Sequence, residues 1–190
     1  SQFLKGLDFA YRERYEDARR EFGLAIELEP KDPGGYLFLA GLLHLYMNDF
    51  TTYEVEEEFY HHIEETIARA KDLVSRDPRD AWGYFCLGGA YSYLAFHYAQ
   101  QTKYWWAFQY GIRAACQLEK SLDLKPDLYD AYLGLGSYHY FQAEVRQKLP
   151  FLGDGKRKGL DEIRLAVEKG LYPKVPAKDG LCLILLREGY

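Results

Sequence analysis

The chain has 190 residues, 48% of them apolar and 28% charged, which supports a sizeable buried core and excludes a disordered or collagen-like polypeptide. Its 29 acidic and 24 basic side chains leave a net charge of -5, the opposite of the basic footprint that phosphate contacts require, so nucleic acid is not an expected partner. Cys86, Cys116 and Cys182 are far apart and form no C-x-x-C, so neither a disulfide framework nor a structural zinc site is expected.

The first residues show no basic region followed by an apolar stretch, so no signal peptide is expected in the sequence as it stands. The first helical phrase ends at Ala25-Ile26-Glu27-Leu28-Glu29-Pro30. Similar phrases end at Pro78 and at Pro126, each 48 residues after the one before. The sequence after each proline repeats at the same interval: Tyr36, Tyr84 and Tyr132 align, as do Leu39, Leu87 and Leu135, then Ala40, Gly88 and Gly136. Periodicity on this scale predicts a solenoid of repeated helix pairs. The stretch from Ala81 to Thr102 has no charged residue and is long enough to span a bilayer. Its tyrosines, His97, Gln100 and Gln101 argue instead for a buried helix in a globular bundle, and no transmembrane segment is expected.

The spacing Tyr84-x-x-Leu87-Gly88-x-x-Tyr91, followed by Ala114-x-x-x-Leu118 and Pro126, resembles the tetratricopeptide repeat (TPR). Tyr132-x-x-Leu135-Gly136-x-x-His139 repeats its first half, and Gly6-x-x-Phe9, Ala18-x-x-x-Phe22 and Pro30 form a compact copy. The resemblance implies an all-α, right-handed superhelical solenoid of antiparallel helix pairs, one domain over 1-190. Its units are about 1-32, 33-80, 81-128 and 129-174, with a partial fifth unit at 175-190. A standard repeat has about 34 residues. The surplus here falls between the two helices of a unit, so each helix is predicted to be roughly two turns longer than standard. Asn48 to Thr52 and Leu149 to Gly155 are expected as turns. A helix is expected from about Lys156 to Lys169 and another from about Ala177 to Arg187, making about nine in all. Glu188-Gly189-Tyr190 reads as the start of a further turn, so the last helix is either a cap or the edge of a longer protein. Exposed solenoid ends would allow a homo-oligomer.

Long, Tyr-rich repeats of this kind are similar to those of bacterial TPR proteins, often of the cell envelope, and distantly to the periplasmic T-component of TRAP transporters. The resemblance implies a non-enzymatic scaffold that binds a protein or peptide on its concave face. The alternative it leaves is a periplasmic small-ligand-binding accessory protein of a transport system. Both the periplasm and the cytoplasm are compatible with it. By position it implies a groove formed by Leu37 and His44, then Trp82, Phe85, Ser92 and Tyr93, then Asp130, Leu133, Ser137, Tyr140 and Phe141, with Gly41, Leu45 and Gly89 beside them. Two readings of these positions stand: an aromatic, largely uncharged groove for apolar groups, or surface that lengthened helices bury against each other. The Lys and Asn of a carboxylate clamp are missing, so a chaperone-tail receptor of that kind is not expected.

Other patterns carry less chemistry. Glu57, Glu58, His61 and Glu65 have the spacing of a carboxylate-bridged metal helix, but no second Glu-x-x-His exists, and an acidic solvated face is expected. Gly153 to Gly159 lacks the first glycine and the Ser/Thr of a phosphate loop, so it reads as a loop with Asp154 as a helix cap and Lys156 to Lys158 exposed. No catalytic residue, metal or cofactor is expected. The run Tyr104-Trp105-Trp106-Ala107-Phe108-Gln109-Tyr110 covers several helix faces and marks a second contact surface. All three cysteines are expected as small buried hydrophobes.

Overall fold

The structure is a computed structural model that describes residues 1-146 and 155-172. The expected helix at Ala177 to Arg187, Asp154 and most of the turn before Gly155 lie outside the described residues. Among those residues there are eight helices and no strand. They are α1 (Gln2–Tyr11), α2 (Tyr15–Leu28), α3 (Pro33–Phe50), α4 (Glu56–Arg76), α5 (Ala81–Gln100), α6 (Tyr104–Leu124), α7 (Ala131–Arg146) and α8 (Gly155–Lys169). Each odd-numbered helix packs antiparallel against the next one. The first pair is short, with 10 and 14 residues. The second and third have 18, 21, 20 and 21, so the surplus sequence is taken up as about two turns in each helix.

Two kinds of turn alternate. Between pairs, proline ends the second helix and an aspartate caps the next. Asp32 accepts a hydrogen bond from the Gly34 amide and Asp80 from the Gly83 amide, each at 2.7 Å. Within a pair, the chain reverses through a residue with left-handed backbone: Glu13, Thr51 or Thr102, at φ of 57°, 48° and 59°. The next amide bonds back five residues: Arg14 to Phe9, Thr52 to Met47, and Lys103 to Tyr98. This is the Schellman closure with a side chain where glycine is usual, and for threonine the conformation is strained.

The odd-numbered helices form the inner layer. α3 is buried on nearly every side, because α1, α2, α4 and α5 all contact it. The even-numbered helices are amphipathic and give one face to solvent. Small residues let the layers meet. A Cβ at Gly88 would stand 2.5 Å from Leu118 Cγ, and one at Gly136 would stand 2.6 Å from the Gly159 carbonyl oxygen. A continuous core runs from α3 to α7 through Leu43, Phe59, Ile63, Leu87, Leu94, Leu118 and Leu135. The first pair adds a cluster around Phe22 and Phe38, and the last pair one around Tyr140 and Ile163. Each buried side chain of this size contributes about 1.5–3 kcal/mol before entropy is counted.

Candidate functional site

The repeat pattern places Leu37, Phe85 and Leu133 at equivalent points of α3, α5 and α7. The structure turns all three toward one cavity of about 260 Å3 on the inner face. His44, Gly89, Ser92, Tyr93, Asp130 and Ser137 also line it. Gly41 makes room, since a Cβ there would run into the Tyr93 hydroxyl. Gly89 lets α5 approach α3, because a Cβ there would be 3.0 Å from Leu37 Cδ2.

The polar atoms in this wall are few, and their bonding is incomplete. Gln100 donates to Asn48 Oδ1 at 2.9 Å, and Asn48 donates in turn to His44 Nδ1 at 3.3 Å. His44 Nδ1 is therefore an acceptor, and the neutral ring carries its proton on Nε2. That Nε2 is buried and has no partner. Burial, helped by the charge of the neighbouring His97 and opposed by a hydrogen bond with Gln100, brings the His44 pKa down to about 4. His97 lies behind the site at 2% exposure, with Nε2 2.8 Å from Glu56 Oε1. Ser92 Oγ is likewise buried and unpartnered. Ser137 is satisfied, since its hydroxyl donates to the Leu133 carbonyl at 2.8 Å. Burial pushes the Tyr93 phenol up to about 12. The only charged side chain among the described wall residues is Asp130, which accepts from the Tyr172 amide at 2.6 Å. This set offers hydrogen bonds, one negative charge and apolar surface. Neither serine of this wall is hydrogen-bonded to His44.

Three of the positions implied by the repeat lie elsewhere. Tyr140 is fully buried between α7 and α8, where it packs on Ile163 below the Lys156 ammonium. It is core because α7 rolls its 140 position toward α8, where Gly136 and Gly159 bring the two backbones together. Trp82 is a fastener between repeats: its indole N–H donates to the α3 cap Asp32 at 2.9 Å, and its ring stacks on Phe85. Phe141 is exposed and meets the edge of Phe96 at 6.3 Å, outside the lining.

Leu7, Phe38, Phe96, Leu118, Gly134 and Tyr172 complete the cavity. Phe96 continues the 89-92-93 stripe by one turn, and Gly134 lies between Leu133 and Ser137, so periodicity could have found both. Leu118 comes from the outer layer and fills the space left at Gly88 and Gly134. Tyr172 carries no pattern at all. It follows α8 and returns across the inner face to Phe38 and Trp82, with ring centroids 5.1 and 6.1 Å apart.

Elsewhere, arginines engage two acids of the Glu57–Glu65 segment. Glu58 pairs with Arg19 at 2.5 Å and lies 3.5 Å from His62, and Glu65 pairs with Arg69. Among the described residues no cluster of three or more potential ligands could hold a metal ion. Lys156 is not exposed as expected, because it folds back toward Glu144 at 3.7 Å. Cys86 is buried, but Cys116 is exposed on α6, and Cys182 lies outside the described residues. Tyr104, Trp105, Trp106 and Phe108 are exposed at the start of α6.

A thermophilic TPR protein of Thermus thermophilus superposes on 99% of this chain and 81% of its own, with a TM-score of 0.56 and 20% identity. The chain has the TPR fold. No family model matches the sequence, and no curated protein matches it significantly. Among the described residues no helix is long and apolar enough to cross a membrane, including α5, which the fold buries.

Proposed function

We propose that the chain is a non-enzymatic binding protein that receives a protein or peptide partner on the concave face of its TPR solenoid. One observation carries this reading. Successive inner helices leave one largely apolar cavity lined by the equivalent positions Leu37, Phe85 and Leu133. A cavity of about 260 Å3 suits one large side chain of a partner and falls below the usual range for a whole drug-sized ligand.

The test is site-specific photocrosslinking from Phe96, at the exposed rim of the cavity, with Trp105 on the outer turn as the control position. The expected result is a polypeptide adduct at 96 that disappears when Leu133→Trp fills the cavity. An adduct at 105 alone would move the binding surface to the start of α6.

Tyr172 supports a second reading, a small-ligand carrier of the accessory type, because it closes one side of the inner face. Native mass spectrometry separates the two readings. A bound species of a few hundred daltons with no polypeptide partner favours the carrier.

A further inference from the structure

The exposed aromatic rings of this chain are not scattered. Tyr11, Phe50, Tyr53, Tyr104, Trp105 and Trp106 each show more than half of their surface, and all six stand at the turns that join α1 to α2, α3 to α4 and α5 to α6. Antiparallel pairing puts these turns along one edge of the solenoid, and contacts between them hold them together. Tyr15 meets Phe50 with ring centroids 5.7 Å apart, Gln100 donates to Asn48 at 2.9 Å, and Gln101 donates to Glu56 at 2.7 Å. The opposite edge, where proline ends the second helix of the first three pairs, is different. Among the described residues it exposes Glu29, Lys31, Arg79, Lys125 and Asp127 and no aromatic ring.

The chemistry of the aromatic edge points to what covers it. Five of the six rings are indoles or phenols, and their N–H and O–H groups form no hydrogen bond with other described residues. An apolar ring with a free polar tip suits the boundary between lipid tails and headgroups. The backbone is suited to it as well. The turn amides of Arg14, Thr52 and Lys103 already bond back to Phe9, Met47 and Tyr98, so an apolar phase would not strip them of partners. The rings stand on three separate tips, which a fluid surface can follow. Charge narrows the choice of lipid. The stretches 11–15, 49–57 and 100–108 carry three basic and five acidic side chains, so the edge has no basic patch for an anionic leaflet.

We infer that this edge adsorbs to a zwitterionic lipid surface, with the rings at headgroup level and the helices outside the bilayer. The inference does not depend on the concave-face reading, because the edge and the cavity are different surfaces.

Flotation of the unsubstituted chain with phosphatidylcholine vesicles tests it. The expected result is co-flotation that about 0.5 M salt does not weaken. Adding phosphatidylglycerol to the vesicles should lower it, because the edge is net acidic. Tyr104→Ser with Trp105→Ser should reduce partitioning roughly tenfold, and Tyr11→Ser with Tyr53→Ser, from the other two turns, about threefold. Leu28→Ser removes an equally exposed apolar side chain from the opposite edge and should change nothing. Brominated phosphatidylcholine should quench the tryptophan fluorescence of the unsubstituted chain, a readout that needs no variant to fold. Absence of flotation or of quenching overturns the inference. So does flotation that requires phosphatidylglycerol and disappears in salt, or an equal loss in Leu28→Ser and the ring variants. A polypeptide adduct at Trp105 without flotation also overturns it and makes the edge a protein-docking surface, while the Phe96 crosslink decides the concave-face reading separately.

Discussion

His44 makes the stability of this fold sensitive to acid. In the unfolded chain its imidazole titrates near the ordinary value of 6.5, whereas in the fold its pKa is about 4. The lowered value means that the native state resists protonation. Between those two pH values the unfolded state binds the extra proton, so stability falls as pH falls from 6.5 toward 4. At about 1.4 kcal/mol per pH unit, the gap corresponds to about 3 kcal/mol at full protonation, and to about 2 kcal/mol between pH 7 and pH 4.5. Burial is the main cause, and the charge of His97 on α5 adds to it. The perturbation is His44→Phe, which keeps a ring against Phe59 and Tyr93 and removes the titration. Urea unfolding at pH 7, 6, 5 and 4.5 gives the unfolding free energy of both proteins. The carboxylates titrate in both, as does His62, whose pKa is also lowered by burial, so the difference between the curves isolates His44. The unsubstituted chain should lose about 2 kcal/mol more than the variant over this range. Curves parallel to within about 0.5 kcal/mol would refute the reasoning.

Gly136→Ala places a methyl 2.6 Å from the Gly159 carbonyl oxygen and should cost about 1–3 kcal/mol, read from the urea midpoint. Gly23→Ala has nothing within 4 Å and should instead gain about 0.5–1 kcal/mol, so equal effects would show that helix propensity and not contact governs both sites. Thr102→Gly relieves a β-branched residue at φ 59° and should raise stability by about 0.5–1 kcal/mol; a loss would mean that the turn is not strained. Trp105→Ser should change stability by less than about 0.5 kcal/mol, because the ring is 68% exposed, and a larger loss in thermal unfolding would place it in the core.

The TPR architecture is legible in the sequence because its causes are local. Proline ends a helix at a fixed interval of 48 residues, and an aspartate two residues after Pro30 and Pro78 caps the next. A small residue faces a large one across each pair, as Gly88 faces Leu118. The longer helices can be counted from the surplus between those marks. Much of the cavity wall is legible for the same reason, since Leu37, Phe85 and Leu133 are one position repeated three times. The repeat misplaces Tyr140 because it assigns a residue to a helix face but says nothing of how each helix rolls. In α7 the glycine contact with α8 sets that roll, and Tyr140 turns into the core. It misplaces Trp82 for a related reason: an indole N–H within reach of a cap carboxylate becomes part of the joint between repeats. Cys116 is exposed, against expectation, because its helix is amphipathic there and residue type alone does not say which face it takes. Tyr172 has no sequence signal, because it acts from an irregular segment on a helix that lies 122 or more residues earlier in the chain.

That last contact changes how the array should come apart. A simple repeat array behaves like a one-dimensional chain of neighbours, which frays from whichever end is weaker. Here Tyr172 ties the segment after α8 to Phe38 and Trp82, so the last helix pair is clasped to the second and third. Peeling α7 and α8 away must also strip the ring from α3 and expose Asp130. Loss of the end thus becomes a shared event with the middle, and native-state hydrogen exchange should show α7 opening together with the start of α3. Replacing Tyr172 with alanine should restore independent fraying at the end.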